Sequence, residues 1–389
     1  MNNPDPRLQI SSIEPAETRI DIIWQDGHVS HFPTIWLLHA CQCKTCGSTE
    51  SALRQRRITD YPENPIIQSH HFDQQQLSLQ WDEDHHSNFA LNWLRHQCLS
   101  GAMRKERKFK PRLWGKEMQN QIPLLSYPEV ATSKSLRLEF LELILNQGFV
   151  LLDQVPEESN RTEEIASLVG TLRTTNYGIY ELKSKPNPEI SGDTAAPLMP
   201  HTDEPYRIDP PGITFFHVIK ASIKGGASTL TDSFRLAQQL RTRDPKAFEL
   251  LCRIPARFHR RLEEGRFFEY QHPVIECDHD GDISAVRLLD RGMAPVDCRE
   301  DQVNPFYSAL KKLLNLSYQG DGQIEFALQS GQMLVFNNQR LMHGRTAFDP
   351  SEGRHVRTCS VDLDEFYSRL RVTYRELNDS RQWMTFRKY

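Results

Sequence analysis

Two histidines and one aspartate constrain this chain more than anything else in it. His201-Thr202-Asp203 sits mid-chain, and His343 lies far downstream inside Asn-Gln-Arg-Leu-Met-His-Gly-Arg. A His-x-Asp pair with a distant His is the two-histidine, one-carboxylate facial triad of non-haem Fe(II) sites. Side chains alternate along an extended segment, so His201 and Asp203 share a face if that segment is a strand. His343 must then arrive on another strand that folds back against the first. Three protein ligands on one face of an octahedral ion leave three positions open, room for a co-substrate and dioxygen.

By itself a His-x-Asp pair is a common accident in a chain with 15 histidines. Its surroundings carry the reading. Pro200 and Pro205 bracket the pair, and Pro210-Pro211-Gly212 leads into an apolar run over residues 213–219. Gly225-Gly226 marks a turn before Ser228-Thr229-Leu230-Thr231-Asp232. Residues 331–336 read as a buried strand entering the His343 loop. Arg354 follows His343 closely. A guanidinium beside such an ion suits the distal carboxylate of a 2-oxo acid, held bidentately. Arg357 competes for the same role.

At 389 residues the chain suits two domains. Its net charge of −4 and lack of a basic stripe argue against nucleic acid. The run from Arg104 to Lys108 reads as a solvated helix face or linker. No apolar stretch approaches the roughly 20 residues that span a bilayer, and residues 1–6 do not open a secretory signal. A cytoplasmic protein with reduced or metal-bound cysteines is expected.

Residues 8–32 read as strands around an Asp26-Gly27 turn, with further extended runs near 66–72 and 77–81. Residues 88–98 suit a short helix. Residues 132–147 suit a longer one ending before Gly148, and Glu163 begins another that reaches Leu172. Residues 233–253 read as two helices broken at Asp244-Pro245, and Pro305 begins one more, reaching Leu316. Short strands fill the rest. The pattern predicts a mostly β, α+β chain. Its parts are a small β-rich domain over 1–110, a linker over 111–125, and a sandwich or jelly roll with flanking helices over 126–389. Cys41-x-Cys43-x-x-Cys46 sets three thiols close together, a spacing that suits a closed zinc site in the first domain.

Several stretches, among them "NYGIYELKSK", "PHTDEPYR", "FNNQRLMHGRTAFDP" and "GRHVRTCSVDLDE", resemble the γ-butyrobetaine hydroxylase and trimethyllysine hydroxylase branch of the Fe(II)/2-oxoglutarate dioxygenases. The resemblance covers nearly the whole chain. It implies a C-terminal double-stranded β-helix, with His201, Asp203 and His343 on Fe(II). It implies Arg354 on 2-oxoglutarate, with Gly225, Gly226 and Ser228 helping to hold it. Zinc would sit on Cys41, Cys43, Cys46 and His85, with His86 and Cys98 as rival fourth ligands. The reaction implied consumes dioxygen and 2-oxoglutarate and hydroxylates an unactivated C–H bond. Relatives also imply a homodimer acting on a small molecule.

The substrate pocket departs from the family. Tyr177 matches one aromatic of the family's ammonium cage. Where relatives read Ala-Tyr-Thr this chain has Gly192-Asp193-Thr194, and Ser360 stands at another cage position. Tyr180 and Tyr206 are substitute aromatics, and Glu181 resembles an acid of some bacterial relatives. Asp290-Arg291 resembles the Asp-Arg of trimethyllysine hydroxylases. The expected substrate is therefore a small zwitterionic amine or ammonium compound, including an aminophosphonate. Its cation would lie near Tyr177, Glu181, Asp193 and Tyr206, and its anion near Arg291. γ-Butyrobetaine itself is the alternative substrate, and a non-catalytic metal-dependent binding module the alternative role.

Overall fold

Alternation of apolar residues sets the first strands. Ile20, Ile22 and Trp24 are buried on one face of a strand. The computed structural model describes residues 5–47, 53–82, 84–183, 194–222, 224–262, 265–318, 322–349 and 353–386. It divides into two units, Met1–Phe109 with Trp383–Thr385, and Lys110–Gln382 with Phe386–Tyr389. Among the described residues no helix is long and apolar enough to cross a membrane.

In the first unit β1 (Ile10–Pro15), β2 (Arg19–Trp24) and β3 (Val29–Pro33) form an antiparallel sheet. The predicted Asp26-Gly27 turn joins β2 to β3, and Gly27 takes the left-handed φ of +82° that it needs. The helix α1 (Thr34–Ala40) ends at the cysteine cluster. A second antiparallel sheet follows, of β4 (Ser69–Phe72), β5 (Gln76–Gln80) and β6 (His86–Ala90). The helix expected over 88–98 is shorter. Residues 86–90 pair with β5, and Ser87 and Phe89 are buried at alternate positions. Ser87 Oγ also accepts a hydrogen bond from Trp81 Nε1 at 2.7 Å, which holds it extended. Only α2 (Leu91–His96) is helical, followed by α3 (Gly101–Arg107), whose Ser100 cap accepts from Met103 N at 3.3 Å.

The second unit opens with β7 (Leu124–Ser126), α4 (Tyr127–Thr132), α5 (Lys134–Gln147), β8 (Phe149–Asp153) and α6 (Arg161–Ser167). Gly148 ends α5 at φ +86°, as its position predicts. Then come β9 (Tyr180–Lys183), β10 (Leu198–His201), β11 (Ile213–Lys220), β12 (Ser228–Asp232), α7 (Ser233–Arg243) and α8 (Pro245–Arg253). The hairpin β13 (Pro255–Leu262) and β14 (Arg266–Pro273) is followed by a second, β15 (Ile275–Cys277) and β16 (Ile283–Val286). The chain continues through α9 (Glu300–Tyr318), β17 (Gln323–Phe326), β18 (Met333–Asn337), β19 (Leu341–Arg345), β20 (His355–Val361) and α10 (Leu363–Glu376). The helix α9 begins before Pro305, where acidic Glu300 and Asp301 meet the positive end of the helix dipole.

Two sheets face each other. One runs β7-β8-β18-β11-β20-β9 and the other β10-β19-β12-β17. Phe149, Leu151, Leu334 and Phe336 from the first share a buried cluster with Leu230, Ile324 and Leu341 from the second. The core therefore lies between the sheets. Residues 111–125, expected as a linker, belong to this packing, because Trp114 and Met118 enter the same cluster. Behind the smaller sheet, α7, α8 and α9 bury Leu240, Leu251 and Leu310 in a second cluster. A buried ion pair ties these layers. Arg340 Nη2 lies 2.8 Å from Asp232 Oδ2, with both side chains at most 2% exposed. Arg340 also donates to the carbonyls of Arg112 (2.7 Å) and Asn146 (2.8 Å), and Asp232 accepts from Trp114 N at 3.2 Å.

Candidate active site

The distant histidine arrives as a cross-strand neighbour. β10 and β19 pair antiparallel with His201 opposite His343, which sets the two rings 4.4 Å apart between centroids. Gly344 makes the approach possible, because a Cβ there would lie 2.5 Å from Leu198 O. Asp203 comes in differently from expectation. The strand ends at His201, so Asp203 is placed by a turn and not by strand alternation. Pro205 follows, and Glu204 takes a left-handed φ of 52°. Two contacts hold the turn. Thr202 N donates to Leu288 O at 2.8 Å. The buried Asn338 side chain accepts from Asp203 N at 2.7 Å and donates to Asp203 O at 3.1 Å.

His201 Nε2 and His343 Nε2 each lie 3.6 Å from Asp203 Oδ1. His201 Nδ1–H donates to Met199 O at 2.8 Å, which frees Nε2 for a cation. Burial works against the Asp203 carboxylate, but the facing His343 and His201 rings and the Arg260 guanidinium hold it at about 2. Burial pushes His343 down to about 4. At neutral pH the pair therefore presents a carboxylate and a neutral imidazole, the forms that bind metal. His343 packs on Phe336 and Phe216, with centroids 4.9 and 5.4 Å away, so one wall is apolar.

The three groups open onto a cavity of about 1060 Å³. Arg354 and Ser228 line it, and Arg357 does not. Arg357 is instead engaged by Glu163 at 3.0 Å. No carboxylate among the described residues pairs with Arg354, and burial together with nearby Arg345 lowers it to about 10. A guanidinium stays charged in proteins, so the shift reports a buried cation that an anion would stabilise. Gly225 and Gly226 share a φ of +75°, and a Cβ on Gly225 would lie 2.2 Å from Ala347 O. The two glycines thus let the chain run against the segment after β19 and deliver Ser228 into the site.

Tyr177 and Tyr206 both line the cavity, with Tyr180 meeting Tyr177 edge-on at 5.9 Å. Two expected substrate contacts lie elsewhere. Along β9 the side chains of Tyr180 and Leu182 reach the cavity, and Glu181 faces the other way, engaged by Lys183 and 3.5 Å from His355. Arg291 sits exposed on the 3-10 turn Asp290–Gly292, and it is Leu289 that reaches the cavity. The turn closes with Gly292 N donating to Leu289 O, which throws Arg291 outward. Asp193 lies outside the described residues.

Sequence reasoning missed Glu204, Arg260 and Asn338. Glu204 is buried, accepts from Tyr177 Oη and pairs with Arg207. Its adjacency to Asp203 was the one available signal. Asn338 lies in the quoted His343 segment, but nothing in its position along the chain shows that its amide closes on Asp203.

In the first unit the cysteines also converge. Sγ of Cys41, Cys43 and Cys46 and a ring nitrogen of His85 all lie within 4.8 Å of one another. His85 Nε2 is 3.2 Å from Cys46 Sγ and 3.5 Å from Cys41 Sγ. Ligands on zinc bonds of 2.0–2.3 Å at tetrahedral angles sit about 3.5 Å apart, so the set fits zinc. His86 is exposed, and Cys98 lies beside His28 at 3.2 Å, away from this cluster.

Comparison with known proteins agrees with this geometry. The profile of the taurine catabolism dioxygenase TauD, TfdA family matches residues 106–360. The profile of the γ-butyrobetaine hydroxylase-like N-terminal region matches residues 12–70 and 67–141. The γ-butyrobetaine dioxygenase of Pseudomonas sp. (strain AK-1) is 30% identical over 94% of this chain and 96% of its own length. The Homo sapiens γ-butyrobetaine dioxygenase is 28% identical over 91% and 94%. The trimethyllysine dioxygenase of Meyerozyma guilliermondii is 27% identical over 93% and 94%. The chain therefore belongs to the TauD/TfdA dioxygenases, in their γ-butyrobetaine and trimethyllysine dioxygenase branch.

Proposed function

We propose that this chain is an Fe(II)- and 2-oxoglutarate-dependent hydroxylase of a small zwitterionic amine or ammonium compound. One observation carries the reading. His201, Asp203 and His343 converge in a cavity that also holds Arg354, a buried guanidinium without a carboxylate partner among the described residues. The triad would hold iron, and Arg354 and Ser228 the distal carboxylate of 2-oxoglutarate. Bound there, iron and the 2-oxo acid supply dioxygen activation, with succinate and carbon dioxide released. The chain's own work is to place one C–H bond of the substrate beside the metal and to exclude competing positions. No side-chain general base is needed. The cysteine cluster with His85 would hold a closed, structural zinc.

The aromatic lining of Tyr177, Tyr180 and Tyr206 supports a cationic group in the substrate. Ser360 lines the cavity, at a position where the family resemblance implies an aromatic ring, so the ammonium would meet fewer π faces. Each lost ring removes roughly 0.5–2 kcal/mol of cation–π attraction. A differently headed zwitterion, including an aminophosphonate, is thereby favoured over γ-butyrobetaine. The overall similarity to named γ-butyrobetaine dioxygenases favours γ-butyrobetaine as the second reading. Succinate release measured across amines, betaines and aminophosphonates tests both. Stimulation by none of them would overturn the hydroxylase reading, and efficient turnover of γ-butyrobetaine alone would favour the second.

A further inference from the structure

Among the described residues, six arginines line the cavity against two carboxylates, Asp203 and Glu204. Most of the six are occupied. Arg173 pairs with Asp362, and Arg207 with Glu204. Arg345 donates to the carbonyls of Thr194 and Ala196. Arg354 is the proposed partner of 2-oxoglutarate. The last two stand on β13, where alternation separates them. Ala256 and Phe258 are buried on one face of that strand, and Arg260 shares their face. Arg261 falls on the other face and is exposed. Across the hairpin, Arg260 lies opposite Phe268, which also lines the cavity. The Arg260 guanidinium carbon sits 6.0 Å from the centre of the Tyr206 ring, and Tyr206 stacks in turn on Phe268. No carboxylate among the described residues lies within ion-pair distance of Arg260, though Asp203 feels its charge.

We propose that Arg260 is the anion anchor of the substrate site. It holds the acid group of the zwitterion over Tyr206, and the ammonium end lies toward Tyr177 and Tyr180. This rests on the hydroxylase reading and deepens it by naming the residue that selects an acid-bearing amine. The cavity's charge balance gives the reason. With 2-oxoglutarate on Arg354 and Asp203, the acid whose charge Arg260 feels, committed to the metal, Arg260 remains as an inward cation without an ion-pair partner among the described residues. A substrate carrying only an ammonium would add to that excess, whereas one carrying an acid offsets it. The planar guanidinium fork suits carboxylate and phosphonate oxygens alike.

The test is direct binding, measured by calorimetry on the whole chain with Fe(II) and 2-oxoglutarate under anaerobic conditions. The probes are γ-butyrobetaine, the same skeleton carrying a phosphonate, and choline, which keeps the ammonium and lacks the acid. The wild-type chain should bind both acids more tightly than choline. Arg260→Gln should weaken both acids by about tenfold or more, the loss of one charge-assisted pair. Choline and 2-oxoglutarate should bind the variant as before, which shows the cavity intact. Arg260→Lys should keep part of the preference for acids, and Arg291→Ala all of it. Equal weakening of choline, unchanged acid affinity in Arg260→Gln, loss in Arg291→Ala, or no measurable acid binding to the wild type would each overturn the proposal. Binding is read without turnover. A chain that binds the acids as described but releases no succinate would therefore overturn the hydroxylase reading and leave the anchor standing.

Discussion

Arg354 and Arg357 lie close in sequence, and the structure sets them in opposite environments whose consequences one pair of substitutions can separate. Arg354 is a buried cation facing the cavity, lowered from 12.5 to about 10 by burial and by Arg345. At about 1.4 kcal/mol per pKa unit this is a penalty of about 3 kcal/mol, reduced by whatever water the cavity admits. Replacing it with glutamine removes that penalty from the free protein. Arg354→Gln should therefore leave thermal stability unchanged or slightly raised. It should also remove the partner of the 2-oxoglutarate carboxylate, a loss of about 2–5 kcal/mol. The 2-oxoglutarate requirement should then rise from about 30-fold to several thousand-fold. Arg357 has the reverse position. Its side chain is 11% exposed and pairs with Glu163 at 3.0 Å. Arg357→Gln leaves Glu163 partly buried and unpaired, so it should lower the melting temperature by a few degrees while the 2-oxoglutarate requirement stays near wild type. The assays are succinate formation against 2-oxoglutarate concentration and thermal unfolding. A wild-type requirement in Arg354→Gln, or the kinetic loss appearing in Arg357→Gln, would refute the reasoning.

Three further outcomes are expected. Asp203→Ala and His343→Ala should each abolish turnover and iron retention with the melting temperature little changed, and wild-type-like activity in either would remove the triad from the mechanism. Purified protein should carry about one zinc per chain besides iron. Cys43→Ser should lose that zinc and expose the first unit to proteolysis before the second, and metal analysis finding no zinc in active protein would refute the site. Arg340→Ala should cost about 3–5 kcal/mol because it strands Asp232 in the core, a fall of roughly 6–20 °C in melting temperature. A shift of only a degree or two would mean that the pair is solvated.

Much of the fold can be read locally. The Asp26-Gly27 turn, the Gly148 stop and the Asp244-Pro245 break are set by φ preferences and capping within a few residues. Where expectation and structure part, a distant contact is responsible. Residues 86–90 are a strand because β5 pairs with them and Ser87 takes the Trp81 hydrogen bond. Residues 111–125 are packed because Trp114 enters the core and its amide reaches Asp232.

The sequence alone determined which groups can do the chemistry. Two histidines and an aspartate with that spacing, an arginine after the last of them, and three close cysteines specify donor sets that depend only on residue type. Tertiary structure decided which candidates meet. His201 faces His343 because β10 pairs with β19 in that register. His85 and not His86 joins the thiols because His85, just before β6, is buried beside them, whereas His86 opens the strand with its side chain in water. Strand alternation turns Glu181 out of the cavity and Arg260 into it. Strand direction is local, but the face that becomes a cavity exists only once two sheets and a hairpin have packed. The identity of the substrate contacts therefore belongs to the fold and not to any single segment.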